Sequence, residues 1–210
     1  MDEINLTIFI AVLISLIVIS VMVFHKVRRD YAEQGKLTRL SSFLQVMVFV
    51  LHAQLFTCSY WDLSLIRADE YLSVSYWLKN APEFSSSFTS LIFGSCLAVT
   101  GILILGLGFK GFELFARIDG QRVDQLISEG IYRFTRNPQI IGYGLIVLSV
   151  PFIWNSLLAL IAALVYWVGT RKMIMVEEEH LHRIFDKEYG RYCKRTPRYF
   201  GTFRKLGYKV

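Results

Sequence analysis

Residues 140–170, "IIGYGLIVLSVPFIWNSLLALIAALVYWVGT", hold no charged side chain and are broken in the middle by Pro151 and by Trp154-Asn155-Ser156. The arms 140–153 and 157–170 are each short for a hydrocarbon core of about 30 Å, which takes about 20 residues of helix to cross. A proline and a polar break at the centre of an apolar run fit a tight connection between two helices. The stretch therefore reads as a helical hairpin that crosses and returns through a turn of about three residues. Directly before it stand Arg133, Arg136 and Asn137, and no further charge follows until Arg171. Pro138 suits the first turn of the helix it opens.

Working outward, three more apolar runs lie at 4–24, 43–57 and 88–109. The first has only Asn5, Thr7, Ser15 and Ser20 as polar members. Its flank, Met1-Asp2-Glu3, is acidic, and it exceeds the usual signal-peptide core of about 7–15 residues, so it reads as a span. The run 43–57 is somewhat short and carries His52 and Gln54. The fold class expected is all-α: an integral membrane protein of about five transmembrane helices, with the hairpin near the C-terminus and a cytoplasmic amphipathic helix after it. Composition agrees, since 54% hydrophobic against 19% charged residues and a mean hydropathy of +0.43 exclude an ordinary soluble domain.

The basic residues supply a separate test of topology. Segment 25–40 carries Lys26, Arg28, Arg29, Lys36 and Arg39; 59–87 carries only Arg67 and Lys79; 110–138 carries Lys110, Arg117, Arg122, Arg133 and Arg136; and 171–210 holds eleven. All but two of the 23 thus fall on one side. The expectation is an N-terminus outside and a C-terminus in the cytoplasm, in the plasma membrane of a prokaryote or the endoplasmic reticulum of a eukaryote. The net charge of +6 is accounted for by this asymmetry and by anionic lipid headgroups as partners, so nucleic acid need not be invoked. Oligomeric state is not readable.

The outer stretch "SYWDLSLIRADEYLSVSYWLKN", residues 59–80, interleaves Trp61, Tyr71, Tyr76 and Trp77 with acidic and aliphatic residues. It reads as an interfacial aromatic belt with a short surface helix around 63–72. Cys58, Cys96 and Cys193 have no metal-type spacing, and His25, His52, His180 and His182 form no HExxH, so no protein-bound metal is expected.

Chemistry-bearing residues gather at the two cytoplasmic ends of the hairpin. Arg133 and Arg136 would share a face if 131–137 were already helical. After the hairpin comes "RKMIMVEEEHLHRIFDKEYGRYCKRTPRYF", residues 171–200, an amphipathic helix leaving the bilayer with Glu177, Glu178 and Glu179 at its start. A hairpin forces its two ends together, so the arginines and the glutamates should face each other in a bipolar pocket. Snorkelling arginines, a solvated acidic face and interfacial tyrosines are the plainer alternatives. Gly142 and Gly144 most simply allow close helix packing.

The stretches "EGIYRFTRNPQIIG" (129–142) and "VEEEHLHRIFDKEYGRYCKRTPRYF" (176–200), framing an apolar hairpin, resemble the C-terminal signature of the isoprenylcysteine carboxyl methyltransferase and phospholipid methyltransferase superfamily of integral-membrane enzymes. Gly130, Tyr132, Arg133, Arg136, Pro138 and Gly142 match its first part; Glu177, Glu178, Leu181, Phe185, Tyr189, Tyr192, Pro197 and Arg198 match its second. The likeness covers 128–200, dividing the chain into spans 1–127 and a cofactor-binding region 128–210 of one integrated membrane domain. It implies S-adenosylmethionine as cofactor. By analogy Arg136 and Asn137 would hold its methionine portion, Glu177 and Glu178 its cationic or ribose portion, with Tyr132, Arg133, Pro138 and Gly142 completing the site. The acceptor implied is an amphiphile entering from the bilayer, first of all a carboxylate of isoprenylcysteine type oriented by Arg198 or Arg195. A phospholipid amine would need a base, for which Glu179, His180 or Tyr189 would serve.

Three departures from the signature stand out: Asn137 replaces a histidine, Ile140 a tyrosine, and Asp186 a glycine, the last looking like a loop-level change. Tyr143 is the residue placed to replace the hydroxyl lost at Ile140. A sterol-reductase-like enzyme using a nicotinamide cofactor and a non-enzymatic membrane protein are the competing classes.

Overall fold

The computed structural model describes residues 2–63, 87–110 and 126–200. Five α-helices account for most of them: α1 Asp2–Gln34, α2 Arg39–Leu63, α3 Ser87–Lys110, α4 Pro138–Trp154 and α5 Leu157–Arg195. A single 3-10 turn, Gly130–Arg133, precedes α4. Among the described residues, α1, α2, α3 and α5 are long and apolar enough to cross a membrane, whereas α4 has 17 residues, about 25 Å at the α-helical rise. The surface helix expected around 63–72 and the aromatic belt lie outside the described residues apart from the end of α2.

The hairpin turn is tighter than the sequence suggests. Asn155, with φ 52, takes the left-handed conformation that ends α4, and the Ser156 side chain accepts a hydrogen bond from the Ala159 amide to start α5. Two residues therefore reverse the chain, because one is an asparagine tolerant of positive φ and the next a helix-capping serine. Pro138 opens α4 in its first turn, as expected.

Successive helices alternate in direction. Along α3 and α4, Gly94 meets Ser149 and Ile153, Gly101 meets Gly142 and Ile146, and Gly108 meets Gln139, an antiparallel order. Phe9 and Leu16 of α1 share a core with Leu55 and Phe56 of α2, Val147 of α4, and Leu158, Ala159, Ala162, Ala163 and Tyr166 of α5. A second cluster joins Val23 and Val27 of α1 to Leu37 and to Val176 of α5. Residue numbers rise together along α1 and α5, so these helices run parallel, and the 17-residue α4 is the returning arm between α3 and α5. Many outward residues, such as Val18, Met22, Leu103 and Val168, are apolar and exposed, as a lipid-facing surface requires.

Helix α1 continues about 15 Å past the apolar run that first marks it. Its polar end is tied to α2 by Asp30, which is 2% exposed. The carboxylate accepts from the Thr38 amide at 2.9 Å, from the hydroxyls of Thr38 and Ser41, and from the Lys26 ammonium. Asp30→Ala would strand this set of donors and should destabilise the fold by about 2 kcal/mol. Thermal unfolding in detergent checks this, with Asp30→Asn expected to lose less.

Candidate functional site

Glu178 is the centre of the charged cluster at the two ends of the hairpin. Its side chain, 13% exposed, receives Arg136 from before the hairpin at 3.0 Å and Arg198 from beyond α5, the latter through both Nε (3.0 Å) and an Nη. The two hairpin ends do meet, as a tight turn requires. They do so by direct ion pairing, and the arginines and glutamates do not face each other across a gap.

The backbone explains which residues take part. Gly130 has φ +60, and the 3-10 turn it begins ends at Arg133; Asn137 then sits at φ −130, outside helical space. The stretch 131–137 is not one helix, so Arg133 and Arg136 do not share a face. Arg133 is exposed, while Arg136 is nearly buried at 12%. Glu177, Glu178 and Glu179 likewise diverge, being 100° apart on α5. Glu178 faces Arg136. Glu179 turns to Arg183 and to Arg28 of α1 at 3.5 Å, and so is occupied as a base. Glu177 is exposed, and no described residue hydrogen-bonds or ion-pairs with it.

Segment 132–137 is stitched to 192–198. The Tyr192 hydroxyl donates to Tyr132 O at 2.7 Å, the Arg136 amide to Pro197 O at 3.0 Å, and the Thr135 hydroxyl and Asn137 Nδ2 both donate to Arg198 O, at 3.1 and 3.0 Å. Asn137, standing where the signature has histidine, thus acts as a donor that fixes the backbone of Arg198. Tyr189 is 1% exposed, its hydroxyl accepting from Arg136 Nη1 at 3.4 Å while His182 packs edge-on to its ring. That burial makes it a holder of Arg136. Cys193, for which spacing suggests no role, also touches that Nη1. Arg136 Nε is buried with no partner among the described residues.

Tyr132 reaches the end of α3, donating to Gly108 O at 3.3 Å and accepting from Gln139 Nε2. Burial raises its pKa; the Gln139 bond opposes the rise and the charge of Glu177 adds to it. The Arg198 pKa is raised, chiefly by its hydrogen bond to Glu178, which ties the guanidinium to that carboxylate. Gly142 is a packing residue: a Cβ there would stand 2.5 Å from Leu105 N. Tyr143 packs with Phe49, His52 and Tyr166 inside the bundle, so it does not supply a hydroxyl to the cluster. Asp186 lies inside α5 at a kink, with φ 37 and ψ −108. The glycine of the signature belongs at such an angle, and aspartate there is strained, so this is no loop-level change.

On the other face of segment 126–135 is a cavity of about 810 Å³. Ile104 and Leu107 of α3, Ile127, Tyr132, Phe134 and Phe200 are among its walls. The charged knot around Glu178 is not part of its lining.

The family described as "Phospholipid methyltransferase" matches residues 89–188, which take in α3, the Arg136 segment, the hairpin and α5 as far as Glu188. Protein-S-isoprenylcysteine O-methyltransferase B of Arabidopsis thaliana is 27% identical over 129 residues, covering 60% of this chain and 60% of that protein. The chain is related to these membrane methyltransferases. It spans about 60% of the length of that curated relative. No solved structure matches it. The family match and the structural cluster coincide at Arg136 and Glu178, whereas residues 189–200 and all of α1 and α2 lie beyond the family's matched residues.

Proposed function

We propose that this protein is an S-adenosylmethionine-dependent methyltransferase acting at the cytoplasmic membrane face on an amphiphile whose head is a carboxylate, of isoprenylcysteine type. The observation that carries the reading is the convergence of Arg136 and Arg198 on Glu178 from opposite ends of the hairpin, within a chain related to such enzymes.

The residues fit the cofactor. It bears a carboxylate, an ammonium, a ribose diol and a sulfonium, so a site must offer guanidinium or amide donors and carboxylates. Arg136 Nε is a buried donor lacking a partner among the described residues, suited to the carboxylate. Glu177 is the carboxylate of the triplet with no hydrogen bond or ion pair to another described residue, suited to a cationic or diol portion. When bound, the cofactor supplies a methyl on sulfur, whose transfer to a carboxylate oxygen gives a methyl ester and S-adenosylhomocysteine with no proton to move.

That proton balance favours a carboxylate over an amine. Glu179 is held by two arginines and Tyr189 is buried on Arg136, while His180 stacks on Tyr31 of α1 with ring centroids 3.9 Å apart, on the far side of α5 from Glu178. Glu179 and Tyr189 are therefore engaged, and the buried His180 Nε2, which has no partner among the described residues, is turned away from the cluster. The mostly apolar cavity beside Tyr132 would take the acceptor's chain, and holding its head in line with the methyl is the main contribution required of the protein. The N-terminus lies outside and the C-terminus inside in this reading, with exposed Arg171, Lys172 and Arg133 meeting anionic headgroups.

Calorimetry on purified protein in detergent tests the proposal. Wild type is expected to bind both S-adenosylmethionine and S-adenosylhomocysteine, and Arg136→Ala to lose at least tenfold in affinity with its thermal midpoint measured alongside. Absence of binding by the folded wild type would overturn the reading.

A further inference from the structure

We propose that residues 187–200 form a strap over Arg136, hinged at Asp186 and latched by Arg198 on Glu178, which lifts to load the site and closes over what it holds. The hinge is local and visible. In a helix of 39 residues only Asp186 has non-helical dihedrals, φ 37 and ψ −108, a region that L side chains rarely adopt. Past that point the chain changes direction, which brings Tyr189, Tyr192 and Cys193 down on the segment before the hairpin.

The strap is held by hydrogen bonds between two segments remote in sequence, together with the buried rings of Tyr189 and Tyr192. Those bonds are Tyr192 to Tyr132 O, the Arg136 amide to Pro197 O, Thr135 and Asn137 to Arg198 O, and Arg198 to Glu178. Such a contact set can be made and broken as a unit. The strap also blocks what it covers. Arg136 Nε is buried without a partner among the described residues, and both oxygens of Glu178 are engaged. A ligand that pairs with Arg136 must therefore arrive while the strap is raised. The hinge and latch stand on geometry; that the ligand is the cofactor rests on the function proposed above.

Cys193 supplies the readout, because lifting the strap uncovers its half-buried thiol. The full chain in nanodiscs, with Cys58→Ser and Cys96→Ser, is treated with a charged maleimide and the rate of Cys193 alkylation is followed. Asp186→Gly relieves the strain of the closed kink and Asp186→Val increases it. Both remove the same carboxylate, so their difference isolates the backbone. The valine variant is expected to react at least fivefold faster than the glycine variant, with Asp186→Ala between them should valine prevent folding. S-adenosylhomocysteine is expected to slow the wild type at least tenfold. Equal rates for the glycine and alanine variants would overturn the hinge. A hinge-dependent rate that S-adenosylhomocysteine leaves unchanged would keep the strap and overturn the cofactor reading.

Discussion

Replacing Gly142 by alanine is expected to destabilise the protein by about 3 kcal/mol, the upper range for overpacking a tight interior. A Cβ at this position would lie 2.5 Å from Leu105 N, 2.8 Å from Leu105 Cα and 2.8 Å from Gly101 O. All three are backbone atoms, so no side chain can rotate away and α3 and α4 would have to separate. Gly101 shows the same contact from the other side, with Gly142 O at 2.6 Å from its added Cβ. Thermal unfolding in detergent reads the effect, and Gly106→Ala on α3 is the control, since its added methyl meets nothing within 4 Å. Small residues at a helix crossing are the usual means of close approach in a bilayer, where no hydrophobic force draws helices together. Gly142→Ala with an unchanged midpoint but no cofactor affinity would instead return Gly142 to the binding site that the superfamily resemblance implies.

The bundle was legible because bilayer thickness acts on composition directly. The charge-free run 140–170 with its central break could fold as little else than a hairpin, and five apolar runs became five helices. Helix ends were less legible. Hydropathy stops where water begins, but backbone hydrogen bonding does not, so α1 continues to Gln34 and α5 to Arg195.

In the site, the meeting of Arg136 with Glu178 follows from the hairpin, whereas the parts played by their neighbours do not. Arg133 is turned outward by a glycine at positive φ and a 3-10 turn, which no helical spacing rule describes. The three glutamates do not act as a group, because adjacent helical residues point 100° apart, a separation that the sequence itself carries. Cys193 and the stack of Tyr31 on His180 depend on the kink at Asp186 and on the pairing of α1 with α5, both long-range features. Asp186 itself was the local clue: where the superfamily signature has glycine, backbone geometry is the first thing to suspect.

Glu178→Gln should be the most damaging substitution in the cluster. The carboxylate neutralises two guanidinium groups, and of these Arg136 is 12% exposed while Arg198 is 36% exposed. Stripping the charge leaves Arg136 uncompensated away from water, a loss of about 3–5 kcal/mol where a buried pair is broken. Arg198→Ala removes a more solvated partner and should cost only about 1 kcal/mol.

The order expected in thermal unfolding is therefore Glu178→Gln well below Arg198→Ala. Stability alone would not show whether the pair is a strut or a binding element. The double variant Arg136→Met with Glu178→Leu separates the two, because replacing both members of a buried pair by apolar residues of similar size is often neutral or stabilising. It should recover most of the stability lost by Glu178→Gln and still fail to bind S-adenosylhomocysteine. A double variant that is stable and binds with wild-type affinity would make the ion pair a strut alone, and the cofactor would have to be sought at Glu177 without Arg136.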